Sequence, residues 1–289
     1  TSIAIVYNES LFGEAGLPVP SREWNDDTWN WSVFHGYATR LTRDLDNDGV
    51  PDRWGVGLVL GALDQIVYPW VFANGGAVFD TTTGSFLLSE PASTEALQFL
   101  ADLLSRDRVA LGPWSGLGDF TSETVAMLPF GRWLSAVGDV PFQWNVTPLP
   151  KGKQSATMIV WLAYGMSSAS QHKEEAWEFL KFLVTEEPQL LNAAQGQALS
   201  VLADLASHPD LRFAEPAGHY HVFAEAIQYA HPIPYADNDG QISTAIWNAL
   251  WPVWNGEVDA HTAMARIKNS IENMLDENSF RLVAPNDAR

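Results

Sequence analysis

Short apolar runs and amphipathic stretches take turns along the whole chain, and that alternation restricts it to an α/β fold. Ile3–Tyr7, Trp54–Leu60, Val125–Leu128, Trp144–Pro148 and Thr157–Met166 are brief and apolar, as strands are. Helices are expected between and after them. Glu9–Gly16 is short and closed by glycine. Trp24–Leu41 repeats an aromatic or aliphatic residue at Trp29, Val33, Tyr37 and Leu41. Ile66–Phe72 stops at Asn74-Gly75-Gly76, and the helix started at Pro91 carries Leu97, Leu100, Leu103 and Leu104. Ser170 is positioned to cap a helix with Glu174 and Glu175 in its first turn and Ala176, Leu180, Leu183 and Val184 on one face. Pro188–Leu205, Tyr220–Tyr229 and a long segment from Asp259 with Ala263, Ile267, Ile271, Met274 and Leu275 complete the set. There is no internal repeat and no low-complexity tract.

A chain of 289 residues is long enough for one large or two ordinary domains. The formal charge of −19, from 35 acids against 16 bases, argues against nucleic-acid binding, which needs a basic footprint. No apolar run approaches the roughly 20 residues of a membrane span. Cysteine is absent, which removes disulfides, zinc thiolates and thiol nucleophiles and suits an extracytoplasmic bacterial protein.

Thirteen tryptophans are the most unusual entry in the composition. Val125–Trp133, VAMLPFGRW, reads as a buried strand ended by Pro129, Phe130 and Gly131, with a guanidinium and an indole just beyond. Open α/β folds put ligand crevices at such strand ends. Arg132 and Trp133 would offer a fork of donors beside a flat apolar face, a pairing that suits a sugar ring. A Trp133 that starts a helix and packs inward is the other reading of this stretch. Trp70, Trp114, Trp161 and Tyr235 also lie near a Gly, Pro or loop boundary, so the set is expected to supply at least two cleft-lining rings. Trp29, Trp177 and Trp247 sit within helical patterns and are expected in the core.

Asp44-Leu-Asp46-Asn-Asp48-Gly49-Val50-Pro-Asp52 has the alternating carboxylates and the glycine of the first half of a calcium loop. Asp44, Asp46, Asp48, the Val50 carbonyl and Asp52 are the expected ligands of a structural Ca2+. The twelfth position is Gly55, where an EF-hand carries glutamate, and an Asx-rich turn has the same composition. His219 and His221 form the only close histidine pair and read as surface residues. No nucleophile elbow, P-loop or dinucleotide fingerprint is present, so catalysis has no positive sign and no cofactor is called for.

In order along the chain, YNESLFGEAGLPVP, DLDNDGVPDRWG, YPWVFANGGAVFD, VAMLPFGRW, WNVTPLPKG and SSASQHKEEAWEFLKFL resemble the family 1 extracellular solute-binding proteins, the sugar-capturing components of bacterial ABC importers. The resemblance implies a type II periplasmic-binding-protein-like fold, two α/β lobes closing on a ligand by hinge motion. It implies a non-enzymatic receptor for a sugar or oligosaccharide, partnered by the membrane permease of an ABC importer and located outside the cytoplasm. In the family, the segment resembling Gly131–Trp133 supplies a stacking tryptophan, Asp64 and Gln65 would lie at the cleft, and the stretch resembling Ile159–Leu162 borders the ligand. Val160-Trp161 stands where the family often has Gly-Gly, and Arg132 where it more often has proline. Family members carry on the order of a hundred residues ahead of the segment resembling Ile3–Asn8, so the N-terminal lobe is expected to be incomplete and the signal peptide absent. Residues 1–160 with 236–289 would form the C-terminal lobe and 161–235 the remainder of the other, exposing apolar surface open to self-association. Other ligands on the same fold, such as a polyamine or a glycerol phosphate diester, and an unrecognised carbohydrate hydrolase are the alternative functions.

Overall fold

The computed structural model describes residues 2–80, 82–133, 140–161, 163–207, 219–232 and 239–276. Its centre is a five-stranded sheet. The strands are β1 (Ile3–Asn8), β2 (Trp54–Gly57), β3 (Ala110–Leu111), β4 (Val125–Gly131) and β5 (Trp144–Thr147), in the order β3-β2-β4-β1-β5. β1 runs antiparallel to both β4 and β5, whereas β2 is parallel to β3 and β4.

Every residue of β1 is buried, because both faces of the sheet are covered. Its side chains alternate between two cores with the period of a strand. Ile3, Ile5 and Tyr7 join the large cluster, and Ala4 and Val6 join a smaller one with Val125, Leu128 and Val146. β4 runs on through Pro129 and Phe130 to Gly131, further than the sequence reading took it. β2 pairs with β4 only as far as Met127, so the proline falls where one side of the strand has lost its neighbour.

The large core lies beneath α1 (Glu9–Glu14), α2 (Trp31–Leu41), α3 (Tyr68–Ala73) and α4 (Pro91–Ser105). The Asn8 carboxamide caps α1, accepting from Ser10 N at 2.9 Å, and Asn30 caps α2 through Val33 N at 3.1 Å. Asn30 therefore starts the helix that periodicity placed from Trp24. A π-helical turn, Leu63–Val67, precedes α3. The short α5 (Leu117–Thr121) leads into β4.

Beyond β5, the strand-like stretch from Thr157 forms only β6 (Thr157–Met158), paired in parallel with β7 (Ala230–His231). α6 (Lys173–Leu183) and α7 (Glu186–Ala194) follow β6, and His172, not Ser170, is the residue ahead of α6. α6 buries none of its residues, and Trp177, expected in the core, is exposed with Phe179 and Phe182. Periodicity showed that the helix has apolar residues on one side but could not show that anything covers them. α8 (His219–Glu225), continued by a 3-10 turn, packs on β1 and β5, with Val222 and Phe223 in the smaller core. α9 (Asp239–Trp254) and α10 (Ala260–Asp276) pack against each other and on α4. Among the described residues no helix is long and apolar enough to cross a membrane.

His219 is fully buried, its ring 4.3 Å from that of Trp144. Burial, with a smaller push from Arg22, lowers its pKa to about 3. The folded state then binds fewer protons than the unfolded one between that value and about 6.5, so this residue's contribution to stability falls as the pH drops through that window. His219→Phe should lack this component. In urea unfolding, the stability difference between the two proteins should change by about 1.4 kcal/mol per pH unit between about pH 6 and 4. A difference independent of pH would mean that His219 titrates normally.

Candidate functional site

The π-helical turn Leu63–Val67 contributes to two cavities, Asp64 lining one and its neighbour Gln65 the other. The first encloses about 370 Å³ and is lined by Leu63, Asp64, Tyr68, Trp114, Asp239 and Trp247, among others. The second, about 570 Å³, is lined by Gln65, Trp133, Trp161, Tyr164, Gln189 and the chain around Ala198, among others. Both fall in the size range of small-molecule sites.

Aromatic faces wall the first cavity. Trp114 is 65% exposed and packs against Trp247 with ring centroids 5.2 Å apart, and Trp247 lies 5.7 Å from Trp251. The Trp114 ring sits on Gly61. A Cβ at residue 61 would come within 2.6 Å of the indole, so the glycine is what lets the ring approach the backbone this closely. The second cavity repeats the device, since a Cβ at Gly131 would collide with the ring of Trp133. Phe130 supports that ring at 5.4 Å.

Asp64 and Asp239 supply the charge. Asp64 lies in the π-helical turn and Asp239 in the first turn of α9. Burial holds the Asp64 carboxyl above its ordinary pKa, opposed by the Gln65 N–H that donates to it at 2.9 Å. Asp239 is raised by burial and then by the charge of Asp64, with a Ser243 hydroxyl bond pulling the other way. Buried Tyr68 is raised by desolvation and then by both carboxylates, so the three groups share one electrostatic environment.

The structure thus brings Asp64, Gln65, Trp114, Trp133 and Trp161 to the cavities. Two other sequence expectations need correction. Trp70 is only 1% exposed and packs among Trp31, Phe34 and Phe99, because α3 is buried on every side. Arg132 is fully buried, where its guanidinium donates to the carbonyls of Ala193 and Ala198 at 2.6 Å each and lies 5.0 Å from the Tyr220 ring centroid. It holds the chain that lines the second cavity and is not itself among the residues lining either cavity. Tyr235 lies outside the described residues.

Trp247, expected in the core, faces the first cavity, and Trp251 and Asp239 were not anticipated. A signal for the tryptophans exists. Ile242, Ile246, Leu250 and Val253 already fill one stripe of α9, so Trp247 and Trp251, four apart, belong to another.

In the acidic loop, carboxylate oxygens of Asp44, Asp46 and Asp48 lie within 4.8 Å of one another. Each residue also spends an oxygen on a loop N–H, at Gly49, Asp48 and Val50 respectively. Asp52 instead accepts from Leu45 N at 2.6 Å and closes the loop.

The sequence pattern of the bacterial extracellular solute-binding proteins matches residues 1–190. The fold is similar to that of the ABC substrate-binding protein Lmo0181 from Listeria monocytogenes, solved in complex with cycloalternan, with a TM-score of 0.81 and 23% identity over 95% of this chain and 70% of that one. Maltose-bound MalE3 of T. maritima matches with a TM-score of 0.79 and 19% identity, covering 95% of this chain and 71% of the other. UgpB from Mycobacterium tuberculosis, in complex with glycerophosphocholine, matches at 0.74 and 17% identity, covering 96% and 69%.

The glycine supports give a direct test of the tryptophan placement. Gly61→Ala should push the Trp114 ring away and change the near-ultraviolet circular dichroism of the Trp114–Trp247–Trp251 cluster while leaving the far-ultraviolet spectrum intact. An unchanged aromatic spectrum would mean that Trp114 does not rest on residue 61.

Proposed function

The chain belongs to the bacterial extracellular solute-binding protein family, and from that premise we propose that it captures a sugar or oligosaccharide for an ABC importer, with a two-cavity cleft as its binding site. The observation that carries this reading is the pair of tryptophans, Trp114 and Trp133, each seated on a glycine at the wall of its own cavity. Rigid indole faces bury the apolar faces of pyranose rings, and the polar groups beside them accept and donate to hydroxyls. Gln65, Gln189, Asn192, Gln197 and Ser200 are positioned for that role in the second cavity, and Asp64, Asp239, Ser243 and Thr244 in the first. The family is one of non-enzymatic receptors, so uptake depends on binding and release and no bond in the ligand is broken.

The proposed lobe division, residues 1–160 with 236–289 against 161–235, puts the second cavity between the two parts. Gln65, Trp133 and Ile159 come from one, and Trp161, Gln189 and Ser200 from the other. A ligand bridging them would favour closure, the usual response of a hinged receptor.

Titration of tryptophan fluorescence against a panel of oligosaccharides tests the reading. We expect saturable quenching or enhancement with at least one of them, and a loss of about tenfold or more in affinity in Trp133→Ala. Release of reducing ends during incubation would instead favour a hydrolase. No response to any sugar, with saturable binding of glycerophosphocholine, would move the ligand to the phosphodiester class.

For the acidic loop we propose a structural calcium ion held by Asp44, Asp46 and Asp48 and the Val50 carbonyl, with Asp52 tying the loop ends. Millimolar Ca2+ should raise the melting temperature of the protein but not that of Asp46→Asn. Equal behaviour of the two proteins would leave the loop as a self-held Asx turn.

A further inference from the structure

Asp64 and Asp239 line one aromatic-walled cavity, and no lysine or arginine is among the described residues that line it with them. The rest of the lining is Gly61, Leu63, Tyr68, Trp114, Ser243, Thr244 and Trp247, all neutral at pH 7. Two carboxylates in one partly closed space repel each other, and neither has a protein cation there to offset the cost of leaving water. The direction of their titration agrees, since burial raises both and the charge of Asp64 raises Asp239 further. Elsewhere the molecule pairs acids with bases, as in Asp27–Lys151 at 2.6 Å and Glu90–Lys268 at 2.9 Å. The cavity lacks that balance.

We infer that this cavity takes a protonated amine, and that the ligand is an amino sugar or an oligosaccharide carrying one aminated ring. The inference rests on the receptor reading above and narrows its ligand class. A single ammonium group between Asp64 and Asp239 neutralises the mutual repulsion and is attracted to both charges. The indoles of Trp114 and Trp247 add the cation–π attraction that aromatic walls give a desolvated cation. The second cavity argues for a sugar and against a polyamine. Among the described residues its lining contains no acid, only amides, hydroxyls, rings and aliphatic groups, so these offer nothing to a second or third ammonium group. Neutral hydroxylated rings fit there, while the aminated ring fills the acidic cavity.

The experiment titrates the protein at pH 7 with a β-1,4-linked trisaccharide of one glucosamine and two N-acetylglucosamine rings, its fully N-acetylated counterpart, maltotriose and spermidine. The first should bind on the order of tenfold more tightly than either neutral trisaccharide and more tightly than spermidine. Asp64→Asn and Asp239→Asn should each reduce the ratio of amino to neutral affinity to within about twofold, whereas Glu174→Gln, at an exposed site, should preserve it. Circular dichroism of each variant verifies that it is folded. A neutral trisaccharide that binds as tightly as the amino one overturns the inference and leaves the sugar receptor standing. A preference that survives both asparagine variants also overturns it. Spermidine binding without any trisaccharide binding overturns the sugar reading together with the amino-sugar assignment, and so does no binding at all.

Discussion

The pairing of β1 with its two antiparallel neighbours is the constraint on which the rest of the molecule depends. Ile3 faces Gly131 on β4, Ser2 bridges Ile159, and the Thr157 hydroxyl donates to the Ile3 carbonyl at 2.8 Å. One end of one strand therefore fixes both the exit that carries Trp133 and the segment that carries Trp161. The register is well determined even though both faces of β1 are apolar. A shift by one residue would send Ile3, Ile5 and Tyr7 into the smaller core, where Ala4 and Val6 now fit, and would overpack it. The second cavity is thus a consequence of strand pairing made far inside the sheet.

The cleft needs stiffness, and glycine provides it in an indirect way. An indole over a backbone with no Cβ gains a flat support and loses rotamers, so it meets a ligand already oriented. Gly61 and Gly131 do this for rings in two different cavities. Charge is handled with similar economy. An excess of acids over bases leaves many carboxylates without partners, but an exposed one is solvated at little cost. Asp64 and Asp239 differ because they are partly withdrawn from water, which turns an ordinary excess of acid into a preference about what the cavity holds.

The family and four strands of the main sheet, β1, β2, β4 and β5, were legible in the sequence, since each rests on local pattern, whereas the two-residue β3 was not. Trp133 and Trp161 lie at breaks in regular structure, and breaks are visible as Gly and Pro. Trp70 breaks that rule, because it lies close to a Gly-Gly pair yet stands on a short helix whose six residues are all buried. Trp247 was legible only in part: it packs against the large core and also lines a cavity, and a helical pattern does not say which side of a helix is covered. Asp239 gave no signal at all. Its role arises from the approach of α9 to the π-helical turn, a contact between segments 175 residues apart in number (239 minus 64) that no local pattern encodes.

Arg132 and Trp133 show most clearly why adjacency in sequence is a poor guide to shared function. Read together they were one ligand platform, a guanidinium beside an indole. β4 ends at Gly131 and the two residues start a 3-10 turn, whose successive side chains point in different directions. The indole faces the cavity, while the guanidinium turns into protein and binds the carbonyls of Ala193 and Ala198. A buried guanidinium is costly unless its donors are satisfied by well-placed acceptors, so the end of α7 and the chain after it are held where those carbonyls must be. That chain supplies Gln197, Leu199 and Ser200 to the cavity that Trp133 also lines. The two residues therefore serve one cavity in different ways: Trp133 lines it, and Arg132 ties down the chain that supplies other parts of its lining.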